Sequence, residues 1–146
     1  MAFEVLRNSE GTFYPYDWDH IDAQTGHSWA LQDEHALACI DFAAAAAGLV
    51  APVVEAMAPV ERERLFHCEQ FWLWRLRGQS PFTVGTAGVP SVLVCIEGAG
   101  QVECGGATYA VGKGAVWLLP AVVGACAFQP RGEVSVLEIA LPVAEQ

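Results

Sequence analysis

A mainly β protein is what this sequence predicts, an antiparallel sandwich or barrel with an N-terminal hairpin and one or two short helices. Three observations lead there. From Cys68 onward, short runs of aliphatic, β-branched and aromatic residues recur between Gly and Pro, the rhythm of a sandwich or barrel rather than of βαβ units. Glycines stand where tight reversals need positive φ, in Glu97-Gly-Ala-Gly100, Cys104-Gly-Gly106 and Gly112-Lys-Gly114, and the Gly105-Gly106 pair suits a two-residue hairpin loop. Apolar residues at helical spacing occur mainly in one stretch, at Ala36, Leu37, Ile40 and Ala44.

Taken in order, residues 3–7 and 12–18 flank the turn-forming Asn8-Ser9-Glu10-Gly11 and read as a hairpin. Pro15 suits an edge position, because it cannot donate to a ladder. Residues 19–28 have loop chemistry. Asp33 then offers an N-cap for a helix over 34–46, with Gly48 as its stop. The stretch 51–66 holds two prolines and charged residues and reads as a connector with a turn of helix around Val60–Leu65. Eight strands follow: Cys68–Arg75, Phe82–Gly85, Ser91–Glu97, Gly100–Cys104, Ala107–Val111, Ala115–Leu119, Ala125–Gln129 and Val134–Leu141. The expected organisation is a hairpin and helix over 1–50 packed on a barrel over 67–146, joined by the 51–66 connector and folded as a single domain.

Composition restricts function. The 146 residues suffice for a real core without metal or disulfide staples. With seven Lys and Arg against a net charge of −10, no nucleic-acid role is expected, since phosphate neutralisation needs clustered cations. Anionic membranes are disfavoured on the same ground. The run from Ile40 to Met57 is interrupted by Asp41, Gly48, Pro52 and Glu55, short of the roughly 20 unbroken apolar residues of a spanning helix. No secretory signal is visible at the N-terminus. The five cysteines form an odd set without C-x-x-C spacing, so reduced thiols, mostly acting as small core hydrophobes, and a cytoplasmic location are expected.

Gly114-Ala-Val-Trp-Leu-Leu-Pro120, preceded by Glu97-Gly-Ala-Gly100 and the Gly105-Gly106 turn, resembles the second motif of cupin domains and its approach. The resemblance implies a single cupin jelly roll. Metal-dependent cupins hold an ion with His-x-His, Glu and a further His. Between Phe82 and Gly98 this chain has no histidine, and Val123, Gly124 and Ala125 stand where the last ligand belongs. The metal site is expected to be absent.

The opening segment carries a second resemblance. Glu4, Ser9, Thr12, Tyr16, Asp17 and Trp18, followed by His35-Ala-Leu-Ala-Cys-Ile-Asp-Phe42, resemble the middle of type I phosphomannose isomerases, and the likeness runs on to the C-terminus. It implies the C-terminal half of that family. There a zinc ion, bound by ligands of the first half, helps aldose–ketose interconversion of mannose 6-phosphate, so zinc is expected only if a separate N-terminal half completes this chain. The family's active-site arginine aligns with Tyr14 and a later one with His20. A phenol or an imidazole does not replace a permanently charged guanidinium, so no catalytic residue is expected.

Ligand-binding candidates are therefore Tyr14, His20, Trp72 and Trp74. The two tryptophans share one face of a strand, where a sugar can stack or where both are simply packed. Asp17 and Asp19 flank Trp18 as a carboxylate pair on one strand face, with turn capping the plainer role. His35 is expected to pack or hydrogen-bond in the helix, and His27 and His67 show no ligand spacing. The expected function is a non-catalytic cupin module that binds a small ligand, a sugar or sugar phosphate, or associates with itself. The alternative is half of an active isomerase. Hydrophobic residues make up 53% of the chain, and a homodimer burying an apolar sheet face is expected.

Overall fold

The computed structural model describes residues 5, 13, 16–28, 31, 33–43 and 50–141. The chain divides into two compact units, Met1–Gly48 and Leu49–Gln146.

In the first unit, Asp17–His20 forms a turn in which His20 N–H donates to Asp17 O at 2.8 Å. Trp18 and Asp19 both adopt positive φ, 45° and 53°, the backbone of a type I′ turn built without glycine. The carboxylates at 17 and 19 therefore belong to a turn, and the strand expected over 12–18 does not reach them. Of the rest of the expected N-terminal hairpin, Val5, Phe13 and Tyr16 are described and none is in a strand; its other residues lie outside the described ones. Ile21 bridges Ser28, and Asp22 Oδ1 accepts from the Gln24 and Thr25 amides, each at 2.8 Å, so 19–28 is the loop its composition predicts.

Helix α1 spans Asp33–Ala38, shorter than the expected 34–46. Its end tightens into i→i−3 bonds, Cys39 N to Ala36 O and Ile40 N to Leu37 O, both 3.2 Å. The Asp41 carboxylate then accepts from Ala43 N at 2.9 Å, a local bond that competes with helix continuation. His35 stacks on Phe13, ring centroids 5.6 Å apart, the packing role expected of it.

The second unit is a jelly roll of ten strands: β1 Val53–Ala56, β2 Glu61–His67, β3 Trp72–Gly78, β4 Phe82–Val84, β5 Ser91–Glu97, β6 Ala99–Cys104, β7 Ala107–Gly112, β8 Val116–Leu119, β9 Cys126–Pro130 and β10 Val134–Ala140. Six form one antiparallel sheet in the order β1-β2-β3-β10-β5-β8 and four the other, β4-β9-β6-β7. All eight expected strands are present, β3 starting late because Cys68 closes a turn onto Phe71 O. The stretch read as a connector with a turn of helix holds β1 and β2 instead. Its Glu-Arg-Glu-Arg sequence hides a strand, since no apolar residue marks the buried face.

The core lies between the sheets. Leu76, Leu93, Cys95, Leu119, Val134 and Val136 face Phe82, Val84, Val102, Val111, Cys126 and Phe128, following the two-residue alternation of each strand. Phe82 stacks on Phe128 at 4.8 Å and 14°. Gly105 and Gly106 turn at φ 56° and 80°, the type I′ geometry expected for the β6–β7 loop. Gly98, at φ 77°, closes on the carbonyl of Glu133 so tightly that a Cβ would collide with it.

Burial raises the pKa of the Cys95 thiol, while a hydrogen bond to the Glu97 carbonyl opposes the rise. Held protonated, Cys95 should be the last free thiol alkylated in the native protein, and exposed Cys39 the first. Mass mapping after a timed iodoacetamide pulse checks the order; early labelling of Cys95 would refute it. The unfolded chain ionises this thiol first, so stability is full below the ordinary thiol pKa and declines as pH rises through it.

Candidate functional site

The register places an ionic cluster in a mainly apolar interior. Glu138 follows Val134 and Val136 on the inward face of β10 and lies opposite Trp74 of β3 and Leu93 of β5. Arg62 and Arg64 of β2 occupy the same face, opposite Leu76 and Trp74. Glu55 sits in a bulge of β1, between Val54 and Ala56. A bulge re-aims a side chain, and here Glu55 turns toward both arginines.

The distances define one connected network. Glu138, only 4% exposed, accepts from Gly85 N at 2.6 Å and from Arg62 Nη1 at 3.2 Å, one bond on each oxygen. The Arg62 guanidinium carbon lies 4.5 Å from the Trp74 ring centroid, a cation–π distance. Glu55 accepts from Trp74 Nε1 at 2.9 Å and approaches Arg62 Nε at 3.8 Å and Arg64 Nη1 at 3.3 Å. Arg62 is thereby held from three sides. On the opposite face Glu61 pairs with Arg77 and Glu63 with Arg75 across the same strands, so four of the seven basic residues gather on β2 and β3, where the sequence showed no cluster.

Beside this network opens a cleft of about 370 Å³, walled by Val60, Leu76, Phe82 and Ala127 among other apolar residues. Among the described residues Arg62 is the one charged residue lining it, and Thr83 adds a hydroxyl. Small-ligand sites have this character: apolar walls and few fixed polar groups.

Trp72 and Trp74 do share the inward face, half-buried, with centroids 5.8 Å apart and rings 77° from parallel. One ring stands edge-on to the other, and Arg62 covers a face of Trp74, so the pair makes no flat platform. His67 stands edge-on to Trp72 at 5.2 Å. In the first unit, His20 lines a recess of about 140 Å³ with Tyr16, Asp17, Asp19, Ser28 and Leu31. Tyr14 lies outside the described residues. Sequence reasoning missed Glu55 and Glu138, and took Arg62 only as one of several basic residues that could meet a phosphorylated ligand but are mostly solvated. A lone carboxylate inside the apolar run Val134–Leu141 was the available signal for Glu138.

Among the described residues, the interior of the second unit does not offer the donors that a metal ion requires. Its inward residues on β5, β8 and β9 include Ser91, Leu93, Cys95, Trp117, Leu119, Cys126 and Phe128, without an imidazole among them, and both Glu138 oxygens already serve N–H donors. No group of three or more His, Cys, Asp or Glu among the described residues is placed to hold one. No described helix is long and apolar enough to cross a membrane. Cys104 and Cys126, expected as thiols, form a disulfide between β6 and β9 with a Cα separation of 4.9 Å. Their pairing comes from strand register, which cysteine spacing does not reveal.

No family profile and no curated protein sequence matches the chain. Solved structures do. The mannose 6-phosphate isomerase from Bacillus subtilis aligns with 85% of the chain at a TM-score of 0.69 and 18% identity, and the chain spans 38% of that protein's length. Ectoine synthase from P. lautus aligns with 62% of the chain, over 69% of its own length, at 0.54 and 19%. KdgF from Halomonas sp. aligns with 63%, over 87% of its own length, at 0.54 and 14%. An RmlC-like cupin from Shewanella frigidimarina NCIMB 400 aligns with 63% of the chain, over 85% of its own length, at 0.53 and 16%, and together with the two facing antiparallel sheets these likenesses show that the chain has the cupin fold.

Proposed function

We propose that this chain is a cupin module that binds a small ligand, a sugar or sugar phosphate, without catalysing its conversion. The cleft beside Arg62 carries the reading. A guanidinium pre-positioned by Glu138, Glu55 and Trp74 presents fixed donors at the edge of an apolar cleft without further ordering cost on binding. Both carboxylates beside it are engaged rather than presented to the cleft for proton transfer at a sugar carbon, Glu138 with Gly85 and Arg62 and Glu55 with Trp74 and Arg64. Mannose 6-phosphate and mannose should raise the melting temperature of the purified protein, and Arg62→Met should weaken calorimetric affinity by about tenfold, one lost charge-assisted hydrogen bond. Metal-dependent turnover of mannose 6-phosphate would overturn the reading.

One observation favours a second reading. The likeness to the Bacillus subtilis isomerase extends over most of this chain, as a half-enzyme completed by a separate metal-binding cupin chain would require. Recovery of zinc-dependent isomerase activity on adding such a chain would establish it. Self-association accords with either reading, since Val116 and Leu118 lie on the outward face of edge strand β8, 64% and 65% exposed. Sedimentation of a clean monomer at micromolar concentration would exclude the homodimer.

A further inference from the structure

We propose that the Cys104–Cys126 disulfide is a thiol-responsive latch on a second pocket, separate from the Arg62 cleft. The ladder between β6 and β9 runs from Gly100↔Pro130 to Glu103↔Ala127 and stops. The next facing residues are Cys104 and Cys126. A covalent bond thus takes over where the hydrogen bonds end.

What the bond joins gives it a role. Cys104 leads into the Gly105-Gly106 loop and β7. Cys126 is preceded by the segment 120–125, whose backbone bonds include Val123 N to Pro120 O and Gly88 N to Ala121 O. Both sides wall one pocket of about 210 Å³: Cys104 and Tyr109 from the β6–β7 side, Pro120 and Val123 from the segment, with Trp117 between. Tyr109 and Trp117 are in ring contact at 5.3 Å. The disulfide ties the two rims of this aromatic pocket together, and its loss leaves 120–125 on few anchors.

The two sulfurs differ in access. Cys126 is 2% exposed, whereas half-buried Cys104 lines the pocket. A thiolate of a small or protein dithiol attacks Cys104 Sγ, forming a mixed disulfide and breaking the Cys104–Cys126 bond. Cys126 leaves as thiolate and takes up a proton; the Gly124 carbonyl, 3.9 Å away, is placed to accept its S–H. The reductant's second thiolate then attacks its own sulfur in the mixed disulfide, releasing Cys104, which is protonated in turn. The protein gains two electrons and two protons while the dithiol becomes a disulfide. In the reducing cytoplasm the composition suggests, the latch rests open and oxidation closes it.

The full chain, equilibrated across ratios of reduced to oxidised dithiothreitol, tests this by thiol titration in denaturant and by amide hydrogen exchange. Oxidised protein should titrate three thiols, Cys39, Cys68 and Cys95, and reduced protein all five. Reduction should speed exchange across 104–108 and 120–126 by about tenfold or more while leaving Val134–Ala140 unchanged, the mark of local opening. The double variant Cys104→Ser/Cys126→Ser should reproduce the reduced pattern without any reductant. Five thiols in fully oxidised samples, or quantitative reduction with no change across 120–126, would each overturn the latch.

Discussion

Replacing Glu138 by Ala should destabilise the protein by about 3 kcal/mol, because a buried ion pair loses one member while the other stays in place. Two groups are orphaned together: the Gly85 amide, which donates to Oε1 at 2.6 Å, and the Arg62 guanidinium, paired to Oε2 at 3.2 Å. Arg62 keeps about a third of its side chain in solvent and retains Glu55 at 3.8 Å, which holds the cost toward the low end for a buried pair. The unfolding midpoint should fall on the order of 15 °C for a unit of this size. Glu138→Gln, which keeps an acceptor for Gly85, should cost less. Removing the pair as Glu138→Leu with Arg62→Met should recover much of the stability loss while leaving ligand affinity about tenfold weaker, as for Arg62→Met alone, since buried pairs add specificity more reliably than stability. A Glu138→Ala protein melting at the wild-type temperature would show that the network contributes nothing to the fold.

Phe128→Ala should cost about 4 kcal/mol, the range for deleting a fully buried aromatic side chain. Phe128 has no exposed surface, and its ring stacks on Phe82, so the variant loses dispersion contacts and an aromatic pair and leaves a cavity between the sheets. The backbone cannot collapse far into that space, because Phe82 and Phe128 face each other in the β4–β9 ladder. Set against a typical domain stability of about 5–15 kcal/mol, this single change takes much of the margin. Phe128→Leu, keeping most of the volume, should cost roughly 1.5 kcal/mol. Urea titration measures both: the midpoint should move while the slope stays constant. An Ala variant with an unshifted midpoint would mean that the sheets are not held together through this pair.

Much of the barrel was legible in the sequence, for reasons tied to particular residues. Beyond Phe82 each strand alternates or is apolar throughout, and Gly98, Gly105-Gly106 and Gly112-Lys-Gly114 mark the reversals, so β4 to β10 lie within about two residues of expectation. In β2 the signal failed, because the inward residues are Arg62 and Arg64, and a charged alternation reads as solvated chain unless its partners are known. Those partners were out of reach: Glu138 lies 76 residues from Arg62, and Glu55 meets both arginines only through a bulge. Trp72 and Trp74 were correctly placed on one face, but the 77° between their rings depends on Arg62 lying against Trp74.

The sequence by itself determined the all-β class, the positions of the reversals and the inward face of most strands, because these follow from two-residue alternation and the φ preferences of glycine. Tertiary structure alone decided the ionic network around Arg62, the cleft beside it and the bond between Cys104 and Cys126. Each depends on which strand lies beside which and in what register. Alternation along one strand specifies a face, whereas a charge partner or a second sulfur is specified by a neighbouring strand that the local sequence does not name.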